Sequence, residues 1–267
     1  MQREALNGRW VEYASTSKYF YSKGAPFLWP HRFDSLPTVL MWEHNTEESF
    51  RELIRHLDVE RAKQAYVQSI FENVKAFAFM QFLKTGQLLD ATVALLNQEN
   101  VLGASACARS ALEATAAMTD VVHRAQCALR DHDDEEKTYE ALAEVGDYVG
   151  KCLWGGRAAG SPFPNVSVIT QLQRLVKRTD DEDSKEMLPA IYEQLCDVVH
   201  PSATGHKIFW TAPTSFGDKG PLVIELTAER VNDSAAQIGE LVLWAIGWSS
   251  AWAVRSWENS ALPSESW

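Results

Sequence analysis

Positive charge is scarce in this chain. Its 267 residues include 25 basic and 36 acidic side chains, a formal charge of −11. Coating nucleic acid requires a broadly basic surface, so that class of function is disfavoured, though a local basic pocket is still allowed. Cysteine is also sparse: Cys107, Cys127, Cys152 and Cys196 lie far apart and form no C-x-x-C pair. They read as reduced, buried thiols rather than a disulfide framework. The phosphate loop G-x-x-x-x-G-K-[ST], the zinc motif H-E-x-x-H and the hydrolase motif G-x-S-x-G are all missing, which leaves nucleotide, metalloprotease and serine-hydrolase chemistry without support. No metal or cofactor is expected. The most apolar stretch, Leu241 to Val254, is shorter than the roughly 20 residues a bilayer requires. Met1 to Trp10 has no apolar core of the secretory type, so the expected location is the cytoplasm, with no membrane partner.

What is present is helical patterning on a chain that is 46% hydrophobic, too apolar for wholesale disorder. Residues 1–44 contain aromatics and prolines without periodicity and read as an arm. Asn45 and Ser49 each precede a glutamate by three positions, the spacing of a helix-starting capping box. Apolar residues then recur at helical intervals through Leu57 and from Glu60 to Met80, with Gly86 as a place where that run could bend or divide. Val101 to Arg130 is dense in alanine and serine. Small side chains allow close axial approach, which predicts a central helix with Arg109 and Glu113 one turn apart on one face.

The acidic run Asp131 to Glu136 suits a helix amino end, with Asp133 and Glu136 at capping-box spacing. The helix it starts should stop at Gly155-Gly156 in a left-handed turn. Two short amphipathic helices follow, Val168 to Val176 and Leu188 to Val199, with acidic Asp180 to Asp183 as a solvated connection and Pro201 as a stop after His200. Lys207 to Ala212 and Leu222 to Leu226 are rich in β-branched and aromatic residues and predict one hairpin at about 206–226. A final helix from about Glu229 to Trp257, capped by Thr227, is apolar on nearly every side and should be buried all round. The expected layout is an all-α antiparallel bundle over 45–257 carrying that hairpin, with residues 258–267 as a tail.

The densest group of chemically capable residues runs from Tyr192 to His206. His200 at a helix end is suited to general acid or base work, and the hydroxyls of Tyr192 and Ser202 to orienting a substrate or phosphate, with His206 nearby. Structural roles compete: His200 could satisfy the last helix carbonyls, and Arg109 could be held by Glu113 as an ion pair. Cys196, His200 and His206 are all possible zinc ligands, with Cys196 and His200 an i, i+4 pair, but no fourth ligand is evident.

The segment Ala108-Arg109-Ser-Ala-Leu-Glu113, paired with Tyr192-x-x-Leu195-x4-His200-Pro-Ser202, resembles proteins of the HEPN-like group over approximately Phe71 to His206. That resemblance implies an antiparallel helical bundle, commonly a homodimer, in a group that includes RNase toxins and phage-defence components. Active members carry R-x4-6-H. Here the positions before His200 hold Glu193, Gln194 and Leu195, so the arginine is missing. The expectation is a metal-independent RNase, or an RNA-binding protein, using His200, Arg109 and Tyr192, with Glu113, Ser202 and His206 lining the pocket. The alternative is a non-catalytic interaction or sensing module.

Overall fold

The computed structural model of the protein describes residues 59–130, 134–155, 166–209 and 233–260. In these residues the protein is all-α, with six helices packed antiparallel. They are α1 (Val59–Asn97), α2 (Val101–Arg130), α3 (Glu135–Trp154), α4 (Val168–Arg178), α5 (Glu182–Val199) and α6 (Asp233–Glu258).

Helix α1 runs through Gly86 undivided. It ends because Glu99 turns left-handed at φ 59°. The Glu99 N–H then reaches the Leu96 carbonyl at 2.8 Å and the Asn100 N–H the Leu95 carbonyl at 2.8 Å, a Schellman closure with glutamate where glycine is usual. Asn100 at once starts α2, its Oδ1 accepting from the Gly103 N–H at 2.9 Å. Ala104, Ala108 and Ala111 are fully buried. These small faces let α2 touch all five other helices, and it forms the axis of the bundle.

Two apolar clusters flank this axis. One gathers Leu112, Leu175, Leu195 and Ile246 from α2, α4, α5 and α6. The other packs Phe71 and Val74 of α1 against Val121 of α2 and Leu142 and Val149 of α3. A fully buried aliphatic or aromatic side chain contributes about 1.5–3 kcal/mol relative to an exposed one. Polar stitches join α2 to α6: the Thr119 and Ser256 hydroxyls lie 2.7 Å apart, and Thr115 Oγ1 donates to the Ser249 carbonyl at 3.5 Å.

Several local expectations need correction. The cap of α3 is Asp134, which accepts from the Glu136 N–H, so capping starts one residue later than the Asp133 spacing suggested. Gly155 ends α3 in an extended conformation, φ −68°, not a left-handed one. Asp180 to Asp183 is no mere connection: Asp181 caps α5 through the Ser184 N–H, and Glu182 and Asp183 form its first turn, where acids complement the helix dipole. Helix α6 is not buried all round, because Trp244, Trp248 and Trp252 stay partly exposed. They stack along its side with ring centroids 6.4 and 5.3 Å apart.

The start of the expected hairpin is helical. Ala203–His206 forms one helical turn and Lys207–Phe209 a 3-10 turn. Gly205 explains the tight turn, since a Cβ there would lie 2.5 Å from the Val198 carbonyl oxygen. The remainder of the hairpin, the arm over 1–44, the Asn45 and Ser49 caps, Thr227 and most of the tail lie outside the described residues. No strand occurs among the described residues.

Candidate functional site

Helix α2 carries two polar centres two turns apart, one at Glu113 and one at Asp120. Both are built on an i, i+4 pair with an arginine of the same helix.

The first centre brings together three of the residues singled out from the sequence. Arg109 Nε donates to Glu113 Oε1 at 3.0 Å, and the Tyr192 hydroxyl of α5 donates to the same oxygen at 2.9 Å. The Arg109 guanidinium lies 5.9 Å from the centre of the Tyr192 ring. Burial, and then the Glu113 carboxylate, push the Tyr192 hydroxyl well above the usual phenol range. For Arg109 burial works against the charge, but the Glu113 carboxylate together with Cys196 and Tyr192 outweighs it, and the guanidinium is raised further. Tyr192 is thus a neutral donor, and the charge of Arg109 is compensated within the protein.

His200, Ser202 and His206 sit elsewhere, at the carboxyl end of α5. His200 is the C-cap residue: its backbone N–H reaches the Cys196 carbonyl at 2.9 Å, and its side chain is exposed. It lies eight positions beyond Tyr192, about 12 Å along the axis. Among the described residues no hydrogen bond or ion pair joins the His200 imidazole to Arg109, Glu113 or Tyr192. Ser202 Oγ donates to the Asp197 carbonyl and accepts from the Gly205 N–H at 3.3 Å, so its hydroxyl ties off the helix end. His206 is exposed on the following turn.

The second centre escaped the sequence reading. Asp120 is completely buried. Its Oδ2 accepts from the Tyr148 hydroxyl of α3 at 2.6 Å, Arg174 Nη1 of α4 at 2.9 Å and Arg124 Nε at 3.2 Å, and its Oδ1 from Arg178 Nη2 of α4 at 2.7 Å. The Arg124 guanidinium lies over the Tyr148 ring at 4.1 Å. Gln171 Nε2 donates to the Tyr148 hydroxyl at 3.2 Å and approaches Cys152 Sγ at 3.7 Å. Burial opposes ionisation of Asp120, yet the hydrogen bonds from Tyr148 and Arg178 and the charges of Arg124 and Arg178 prevail, holding its carboxyl below the usual range. Burial also pushes the Cys152 thiol up to about 11. A signal existed in the sequence: an acid inside the apolar run Met118 to Val122, and two arginines one turn apart at 174 and 178.

The four cysteines form no disulfide and are half-buried. Among the described residues no three of His, Cys, Asp or Glu are grouped to hold a metal ion, and no helix is long and apolar enough to cross a membrane. The fold defines an all-α helical protein. Compared with known proteins, the chain matches no family model, no curated protein and no solved structure.

Proposed function

We propose that this protein is a non-catalytic recognition module that works by binding, with a second copy of the chain as one partner. The observation that carries this reading is the closed arrangement of Arg109, Glu113 and Tyr192. Cleavage of a phosphodiester needs a proton-transfer group and uncommitted positive charge converging on one phosphate. Here Arg109 is held at 3.0 Å by Glu113, and the His200 imidazole lies at the C-cap beyond the carboxyl end of α5. The net charge of −11 also disfavours a long polyanion. The tryptophan row of α6 supplies the contact face of the homodimer, since partly exposed, stacked aromatics anchor protein interfaces. Sedimentation analysis tests the reading: a dimer is expected, and Trp248→Ala should shift it to monomer. A monomer that turns over RNA would overturn it.

A second reading keeps the HEPN-like resemblance, with a metal-independent RNase of toxin or phage-defence type in which His200 moves the proton. It is favoured by the exposed imidazole of His200. RNA cleavage by the purified protein, lost in His200→Ala while the helical circular-dichroism signal persists, would select it over the first.

A further inference from the structure

Charge does not balance at the Asp120 centre. Arg124, Arg174 and Arg178 all pair with this one carboxylate, at 3.2, 2.9 and 2.7 Å. Among the described residues no other acid forms an ion pair with any of them. Neutralising one buried carboxylate takes one arginine; three leave two positive charges in excess, held close together at the cost of mutual repulsion. The excess is not sealed in, because the side chains of Arg124 and Arg174 remain 33% and 36% exposed, and that of Arg178 20%.

The donor arithmetic agrees with the charge. Each guanidinium offers five N–H groups in a rigid fork. Asp120 takes Arg124 by Nε alone, Arg174 by Nη1 alone and Arg178 by Nη2 alone. Both terminal nitrogens of Arg124 and the Nη2 of Arg174 therefore still have N–H groups to give. The forks are also held in place: Arg124 lies on Tyr148, Arg174 and Arg178 are one turn apart on α4, and Asp120 anchors all three from beneath. Preorganised guanidiniums from two helices, with spare donors and two excess charges, match a tetrahedral oxyanion carrying two negative charges.

We propose that Arg124, Arg174 and Arg178, positioned by Asp120 and Tyr148, form a binding site for a phosphate dianion, either inorganic phosphate or the terminal phosphoryl group of a small phosphomonoester. A carboxylate would cancel only half of the excess. A phosphodiester carries one charge per phosphate, and in a protein this acidic it lacks the extended basic track that nucleic acid needs. The site is separate from the α6 face and from His200, so it stands whether or not the reading of the preceding subsection does.

The test is calorimetric titration of the full-length protein with inorganic phosphate at pH 7.5, at ionic strength fixed with chloride. Saturable binding at one phosphate per chain is expected, with Arg124→Gln and Arg174→Gln each weakening it at least tenfold, while Arg255→Gln on α6 leaves it unchanged. Phenyl phosphate should bind within a few-fold of inorganic phosphate if a phosphomonoester is the ligand, and at least tenfold more weakly if the site takes only the free ion; dimethyl phosphate should bind at least tenfold more weakly than inorganic phosphate in either case. Absence of saturable binding by the unmodified protein at millimolar phosphate, equal binding of dimethyl phosphate, or equal loss in Arg255→Gln would each overturn the proposal. The unmodified protein decides the question even if an arginine variant fails to fold.

Discussion

The two polar centres of α2 use the same local device to different ends. At Glu113 one acid meets one arginine, both about a quarter exposed, and a tyrosine from α5 completes a neutral set. At Asp120 the acid is wholly buried, the tyrosine comes from α3, and two more arginines arrive from α4. An exposed i, i+4 pair contributes little, because water competes for both charges. A buried carboxylate with several charge-assisted hydrogen bonds is strongly coupled to the helices that supply them. The first centre decorates the bundle, whereas the second fastens three of its helices together.

The sharpest way to break this comparison is Asp120→Ala, which leaves the clustered arginines unpaired. We expect a loss of about 3–5 kcal/mol in urea denaturation; a loss no larger than that of Glu113→Ala would show the two centres to be equivalent. Tyr148→Phe removes one hydrogen bond to the buried carboxylate and should cost about 1.5–3 kcal/mol. The matching change at the other centre, Tyr192→Phe, should cost only about 0.5–1 kcal/mol, because Glu113 keeps access to water. Glu113→Gln comes last, at about 0–1 kcal/mol after solvent screening.

Acid separates the centres by another route. The Asp120 carboxyl is depressed in the folded state. Its contribution is therefore complete above the unfolded value of about 3.9 and is lost as pH falls through the lower folded value. Stability measured from pH 6 downward should fall more steeply for the unmodified protein than for Asp120→Asn. Parallel curves would remove Asp120 as the source.

Helix identity was legible because it depends on local spacing. The alanines and serines of α2 announced a central helix, and the i, i+4 spacing of Arg109 and Glu113 announced their contact. What failed were features decided by neighbours or by single backbone angles. Asp133 and Asp134 are both able to cap, and the choice depends on where the chain enters α3. Lys207-Ile-Phe carries strand-favouring side chains, yet Gly205 seats the preceding turn against the Val198 carbonyl and the chain stays coiled. The meeting of Arg109 with Tyr192 spans 83 positions and could only be posed as a question. The Asp120 centre needed three helices to converge, and a lone acid in an apolar run does not say which arginines will find it.

The last described helix has a bearing on how the chain matures. Helix α6 rests on both α1 and α2, and its Ser249 and Ser256 meet the threonines of α2. A nascent chain that has emerged only as far as α5 exposes the α2 stripe of Thr115 and Thr119 together with the apolar residues beside it. Burial of that stripe by α6 waits until synthesis has passed residue 256, so a product truncated before α6 would leave it uncovered by that helix.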